Sequence, residues 1–401
     1  MTTALAGSRA PGLLFIVNSL ETGGAERHVV TLLNHLDRRR FRLHLAYLKR
    51  NEKLLPELRR EQVAGIVCCD VARRIDGRAI RALRGLIADG AIDAIVCTNP
   101  YSMLYGYLAL RGSGADARLV TVFHSTLLRG LKDRAQMLLY RRLFNRCALL
   151  VYVCERQRSY WRKLGVRPEA DEVIYNGIDT EYYTDRRSGS EARSLRRSLG
   201  LESGDFVVGL CSVLRPEKAH GDLLSAISML RGQGLPAKAL LIGDGPERAA
   251  IERAISRLGL ERHVLITGMR EDVRPFIGAC DVMTLVSHSE SFSLAALESM
   301  SLGKPMVMSD VGGAAELLTH GEHGFLFQPG DIDALSMHLR ALTSPSLRER
   351  LGRAAALRVR ERFTVGNMAD RFTDCIEGLL EERTPLLRPS GCEHARSHRF
   401  G

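Results

Sequence analysis

The chain has 401 residues, 45% of them hydrophobic and 26% charged, with a formal net charge of +11. That length exceeds what one core holds and suits two domains, and the composition is that of a globular chain. No apolar run reaches the roughly eighteen residues a membrane span needs, and Met1–Pro11 lacks the apolar region of a secretory signal.

The nine cysteines follow no CxxC or Cys/His spacing, which argues against structural zinc and fits a reducing compartment. Cys97, Cys154 and Cys211 sit in apolar runs and are expected as small buried hydrophobes. The expected location is the cytoplasm, with the inner face of a membrane as a peripheral alternative. The positive charge asks for an anionic partner: a nucleotide diphosphate, an anionic membrane surface or nucleic acid. No nucleic-acid recognition module or aromatic-interleaved basic stripe is found, so nucleic acid is not expected.

In chain order, an apolar run at Gly12–Asn18 leads through a polar loop into a helical pattern over Ala25–Leu36, with Val29, Val30, Leu32, Leu33 and Leu36 on one face. Strand-like runs follow at Phe41–Leu48, Ala64–Cys68, Asp93–Cys97, Arg118–Phe123, Ala148–Val153 and Glu172–Tyr175, mostly with helical stretches between. That alternation predicts an α/β domain with a parallel sheet over residues 12–180.

Asn176–Gly189 breaks the pattern, which restarts at Phe206–Val213. Strands at Ala239–Ile242, His263–Thr267, Asp281–Val286 and Pro305–Ser309 predict a second doubly wound domain over 190–363. A last helix, over 364–382, has no strand after it. The tail from Arg383 has no periodicity and is expected to be disordered. In open α/β sheets ligands bind at the carboxyl ends of the strands, so the residues just after strands are the candidates.

After the first strand, Thr22-Gly23-Gly24-Ala25-Glu26 opens a helix. The glycines admit close approach of a ligand and the helix start offers free N–H groups to an anion, although a plain turn reads the same way. After Phe206–Val213 comes Leu214-Arg215-Pro216-Glu217-Lys218, where Arg215 and Lys218 can converge on a diphosphate; a solvated basic loop is the bland alternative. Gly268-Met269-Arg270 turns after its strand, and His124 follows Arg118–Phe123. The most informative stretch runs from Ser287 to Glu316. There Glu290 precedes a helix begun by Ser291, Phe292, Ser293 and Leu294, and Glu298 lies within that helix. Two carboxylates suit vicinal hydroxyls, which sugars and riboses both carry.

Together these segments resemble the GT4 family of retaining glycosyltransferases, the "glycosyl transferases group 1", with the GT-B fold. The resemblance runs through GGAE (23–26), His124-Ser125, NGID (176–179), RPEK (215–218), GDGP (243–246), the Glu290/Glu298 pair, GKPMVMSDVGGAAE (303–316) and HGFLFQPGD (323–331). It implies two Rossmann-like domains facing a cleft, with the last helix crossing back onto the N-terminal domain. It implies transfer of a sugar from a nucleotide-diphosphate-sugar donor to an acceptor hydroxyl, without a metal or other cofactor. By the same resemblance Arg215 and Lys218 hold the donor diphosphate, and Gly23 and Gly24 approach it. Glu290 and the amides of Ser291–Leu294 bind the sugar and phosphates, Glu298 the ribose, and Arg270 lies beside the base. The resemblance likewise makes His124 the active-site histidine, which forms the catalytic set with Glu290, Arg215 and Lys218.

One position departs from the family pattern: Ala219 follows Lys218 where glycine is common. A nucleotide-sugar epimerase or a non-catalytic nucleotide-sugar-binding protein remain as alternatives. The expected acceptor is a saccharide or lipid-linked saccharide in cell-surface polysaccharide or glycolipid synthesis. The segment Arg129–Arg146, with Met137, Leu138, Leu139, Leu143 and Phe144 among basic residues, reads equally as a membrane-surface helix or a core-facing one.

Overall fold

Apolar runs too hydrophobic to leave a face in water dictate where the chain is buried. The computed structural model describes residues 9–125, 131–184 and 189–382. The N-terminal half comprises β1 (Gly12–Val17), α1 (Gly24–His35), β2 (Arg42–Tyr47), β3 (Val63–Cys68), α2 (Gly77–Asp89), β4 (Ile92–Thr98), α3 (Asn99–Leu110), β5 (Arg118–Phe123), α4 (Leu131–Phe144), β6 (Leu149–Tyr152), α5 (Glu155–Lys163) and β7 (Ala170–Val173). The second half follows α6 (Gly189–Ser198) with β8 (Phe206–Cys211), α7 (His220–Gly232), β9 (Ala237–Ile242), α8 (Arg248–Arg257), β10 (Val264–Ile266), α9 (Arg274–Ala279), β11 (Val282–Leu285), α10 (Leu294–Ser301), β12 (Met306–Ser309), α11 (Ala314–Leu317) and β13 (Gly324–Phe327). Three helices end the described chain: α12 (Ile332–Ala341), α13 (Pro345–Arg362) and α14 (Val365–Glu381).

The first sheet has seven strands in the order β3-β2-β1-β4-β5-β6-β7, and the second has six in the order β10-β9-β8-β11-β12-β13. Every strand pairing is parallel, so each sheet is covered on both faces and its central strands read as unbroken apolar runs. All six residues of β1 are buried. Each sheet carries one hydrophobic cluster per face. In both, the order of connection reverses beside the first strand, between β1 and β4 and between β8 and β11. A crevice opens at such a reversal, because the loops after the two strands run to opposite sides.

Two edges differ from the sequence reading. β7 spans Ala170–Val173, earlier than Glu172–Tyr175, because it is an edge strand whose register is set by β6 alone, from Leu149↔Ala170 to Tyr152↔Val173. Tyr175 is instead drawn out of the sheet to pack on Phe292 and Phe363 of the second half. β13, within residues 323–331, is a further strand that the apolar runs do not predict, and it completes the edge beside β12.

The two domains are joined by two chain crossings lying side by side. Ile178 bridges Thr364, with Ile178 N–H donating to Phe363 O at 3.0 Å and Val365 N–H to Ile178 O at 2.9 Å. Beyond this double crossing α14 begins, capped by Thr364 Oγ1, and packs Met368, Ala369, Phe372, Ile376 and Leu379 into the N-terminal core. That helical stripe faces α1, and Phe372 meets Phe15 at 6.0 Å between ring centroids. A second tie crosses the interface at the start of α5, where the Glu316 carboxylate accepts from the N–H groups of Glu155 (2.8 Å) and Arg156 (2.9 Å) and from the Tyr175 hydroxyl (2.9 Å). A carboxylate from one domain thus caps a helix of the other, satisfying donors that the helix itself cannot.

No described helix is long and apolar enough to cross a membrane. The cysteines among the described residues are free; Cys97 and Cys154 are buried as expected, whereas Cys211 is only partly so because it borders the interdomain cavity. The tail from Arg383, and Arg129 and Gly130 of the basic segment, lie outside the described residues.

Candidate active site

A cavity of about 720 Å³ lies between the carboxyl edges of the two sheets, at the reversal of both. Gly23, Gly24, His124, Arg215, Lys218 and Glu290–Leu294 line it, whereas Arg270 and Glu298 do not.

On the N-terminal side, α1 starts at Gly24 behind Gly23, which caps it without a side chain; the Glu26 carboxylate folds back onto its own N–H, while the N–H groups of Gly24 and Ala25 have no side-chain cap. A Cβ on Gly24 would meet nothing within 4 Å, so the backbone borders open space there. Glu26 in that first turn also lines the cavity; burial raises its pKa, and Arg215 across the cleft partly offsets the rise.

His124 is fixed by its backbone on both sides. Its N–H donates to Asn99 Oδ1 (3.0 Å) and its carbonyl accepts from Ser291 Oγ of the other domain (2.7 Å). Asn99 itself sits at φ 69, an unusual conformation for a side-chain-bearing residue, directly after β4. The His124 ring meets that of His28 edge-on at 4.7 Å, and burial holds both well below the usual imidazole range, His28 at about 4. Both rings are therefore neutral near pH 7 and serve as hydrogen-bonding groups, not cations. Nε2 of each is buried without a partner among the described residues. His28 contacts Asn176 Oδ1 at 3.1 Å, and Asn176 Nδ2 donates to Phe292 O at 3.0 Å, so the histidines are tied through the domain crossing to the donor-side loop.

On the C-terminal side, the loop after β8 carries Arg215 and Lys218, and the loop after β11 carries Glu290. Lys218 Nζ lies 2.5 Å from Glu290 Oε2, each side chain about 20% exposed. Arg215 is exposed and makes no ion pair among the described residues. Phe292 anchors the second loop by packing between Tyr175 (5.2 Å) and Phe363 (5.4 Å). Ser293 caps α10 by accepting from Ala296 N–H at 3.3 Å.

Glu298 and Arg270 stand apart from the cavity lining for different reasons. Glu298, nine-tenths buried, accepts from the Tyr183 hydroxyl at 2.9 Å and lies 3.9 Å from Arg27. Arg270 is exposed, with its guanidinium 4.8 Å above the Phe276 ring.

Ala219, the departure from the family pattern, adopts φ 49 and ψ 43 between Lys218 and the start of α7. This is the left-handed region, which costs a residue bearing a Cβ roughly 1 kcal/mol or more and glycine nothing comparable. The backbone at Ala219 is strained. Ala219→Gly is therefore expected to raise stability by about 1 kcal/mol, read as a higher urea midpoint at unchanged slope. A lower midpoint would mean that the methyl group makes contacts outweighing the strain.

Several lining residues were not singled out in the sequence. Asn18, Asn99, Tyr101, Gln136, Tyr140 and Trp161 form the wall on the N-terminal side. Asn18 and Asn99 do follow strands, the position that marks candidates, and Asn99 precedes a proline. Gln136 and Tyr140 come from α4, whose approach to the cavity no local pattern announces.

Two α/β domains thus present a basic loop, a carboxylate and a helix start across a shared cleft. The profile described as Glycosyl transferases group 1 matches residues 191–358, and that described as Glycosyltransferase Family 4 matches residues 22–182. The chain belongs to this family of glycosyltransferases, and its fold is GT-B. It is 29% identical over 269 residues to the N-acetyl-alpha-D-glucosaminyl L-malate synthase of Bacillus anthracis, an alignment covering 66% of this chain and 69% of that one. It is 32% identical over 243 residues to the D-inositol 3-phosphate glycosyltransferase of Rhodococcus erythropolis, covering 58% and 52%. For that relative and others the chain spans about half their length. Among solved structures, Anabaena HepE in complex with UDP-glucose superposes with a TM-score of 0.80 at 25% identity, covering 92% of this chain and 99% of that one.

Proposed function

We propose that this protein transfers a sugar from a nucleotide-diphosphate-sugar to an acceptor hydroxyl, with retention of anomeric configuration and without a metal. The observation that carries the reading is the Lys218–Glu290 contact at the mouth of α10, with Arg215 beside it and His124 opposite. Arg215, Lys218 and the N–H groups of Leu294 and Ala295, which the Ser293 cap leaves aside, offer positive potential to a departing diphosphate, the role a metal fills elsewhere. Glu290 accepts hydrogen bonds from hydroxyls of the transferred sugar, and neutral His124 hydrogen-bonds the same sugar from the far wall. No lining carboxylate stands out as a covalent nucleophile, so the acceptor hydroxyl attacks on the face the diphosphate leaves. The pair Lys218–Glu290 then acts as a placeholder: the diphosphate takes Lys218 and releases Glu290 to the sugar.

The test is a thermal-shift screen with UDP, GDP, UDP-glucose and GDP-mannose, followed by product analysis with and without saccharide acceptors. Stabilisation by a nucleotide diphosphate and formation of a glycosylated product support the reading. Conversion of the donor sugar itself in the absence of acceptor would favour an epimerase. Binding with neither hydrolysis nor transfer would favour a non-catalytic nucleotide-sugar-binding protein.

The acceptor is proposed to be a saccharide, free or lipid-linked, met at an anionic membrane surface. α4 supports the membrane part. Leu143 and Phe144 are buried, but Leu138 and Leu139 are 59% and 54% exposed beside the exposed Arg142. Apolar side chains next to cationic ones suit the boundary between acyl chains and anionic headgroups. The protein is expected to co-sediment with vesicles containing anionic lipid but not with neutral ones, and Leu138→Ser/Leu139→Ser to lose that binding. Equal sedimentation with both vesicle types, or none, overturns the membrane part alone.

A further inference from the structure

Glu298 lies one helical turn beyond Leu294 and Ala295, both of which line the cavity, and so continues the same face of α10. Its side chain is only 8% exposed. Both groups that reach it fall on the same oxygen: Tyr183 donates its hydroxyl to Oε1 at 2.9 Å, and Arg27 Nη1 lies 3.9 Å from Oε1. Burial raises the Glu298 pKa, while Arg27 and then the Tyr183 hydroxyl oppose the rise. Burial and the neighbouring carboxylate keep the Tyr183 hydroxyl protonated, so it remains a donor.

Tyr183 is itself held on two sides. Ser301 Oγ donates to the Tyr183 carbonyl at 2.7 Å. The preceding Tyr182 carries the Arg274 guanidinium 3.7 Å above its ring, and Arg274, fixed by Asp272, donates to the Tyr182 carbonyl at 3.0 Å. A ring anchored this firmly by its own backbone is more than a passing contact. Arg27, in turn, comes from α1, whose first turn borders the opposite wall of the cavity.

We propose that Tyr183 and Arg27 are positioning residues for nucleoside recognition: by gripping one oxygen of Glu298 they present the other to the ribose hydroxyls of the donor. This rests on the reading of Glu298 as the ribose ligand. A buried carboxylate without such partners would swing, or take up a proton and lose half its accepting capacity. With them one oxygen is held and the carboxylate is oriented before the nucleotide arrives, and both partners oppose the rise in its pKa that burial causes. Tyr183 and Arg27 therefore set how strongly the site prefers a ribonucleotide to its deoxy counterpart, while contributing little to the diphosphate.

The experiment measures dissociation constants of UDP and GDP and of their 2′-deoxy and 3′-deoxy counterparts by calorimetry, on the full chain and on Tyr183→Phe and Arg27→Lys. A hydrogen bond to a charged carboxylate corresponds to roughly tenfold or more in affinity, so the unaltered protein is expected to prefer at least one ribonucleotide by about that factor. Tyr183→Phe keeps the ring packing and is expected to reduce the preference to within about threefold while leaving the deoxynucleotide constant unchanged. Arg27→Lys, which keeps the charge, is expected to fall between. If Tyr183→Phe weakens ribo and deoxy forms equally, or keeps the full preference, the positioning role is wrong and the ribose role of Glu298 stands. If the unaltered protein shows no preference at all, the ribose role of Glu298 fails and the proposal fails with it.

Discussion

Lys218→Ala will lower transfer by about a hundredfold to a thousandfold, with the loss mainly in kcat. The reason lies in where charge develops. In the proposed reaction negative charge gathers on the diphosphate as the bond to the sugar breaks, and the ammonium at Lys218 would then interact more strongly with that leaving group than with the bound donor. Glu290→Ala is expected to cost a similar factor through lost hydrogen bonds to the sugar hydroxyls. Neither substitution should unfold the protein. The Lys218 and Glu290 side chains are each about 20% exposed, so water screens whichever partner is left, and the stability change should stay near 1 kcal/mol. Steady-state kinetics with a melting curve on each variant checks both halves of the expectation. Near-normal turnover by either variant would remove that residue from the site, and collapse of the melting transition would make it structural.

Gly312→Ala should disable the donor side without touching any ligand-binding side chain. Gly312 has φ 52, and a Cβ there would lie 2.1 Å from Glu290 O and 2.5 Å from Ser291 O. The left-handed backbone alone costs alanine roughly 1–2 kcal/mol. The clash falls on the backbone of the loop carrying Glu290, where no flexible side chain can yield. That loop is also held by Gly313 N–H donating to Ser291 O at 2.7 Å, so displacing it disturbs the start of α10 as well. The expected result is a stability loss of about 2–4 kcal/mol and a fall of more than tenfold in nucleotide affinity at a temperature where the variant is still folded. Retained affinity with lowered stability would show that the loop yields without moving Glu290.

The sequence leaves Gly312 and Gly313 visible in the run quoted from Gly303 to Glu316, but gives no hint that their task is to let a loop from the preceding strand pass over them. The same division holds across the site. Gly23, Gly24, His124, Arg215, Lys218 and Glu290–Leu294 were legible because each follows a strand, and strands are marked by local runs of apolar residues. β13 escaped because its four residues sit among histidines and glycines and have little pattern of their own. β7 was read two residues late because an edge strand takes its register from one neighbour, and that neighbour is not local.

What the sequence alone determined is the architecture: two doubly wound sheets and a set of polar residues at the carboxyl ends of strands. Short-range periodicity specifies these, since a parallel sheet buried on both faces requires apolar runs separated by amphipathic helices. What only the tertiary structure decided is which of those residues meet. Lys218 touches Glu290 across 72 positions of sequence, and His28 reaches Asn176 across 148. Glu298 is turned onto Tyr183 and Arg27, outside the cavity lining, and Arg270 rests on Phe276. These meetings depend on the reversal of strand order in each sheet and on how the double crossing at Ile178 and Thr364 sets one domain against the other. Both are products of long-range packing, which leaves no periodic trace in the chain.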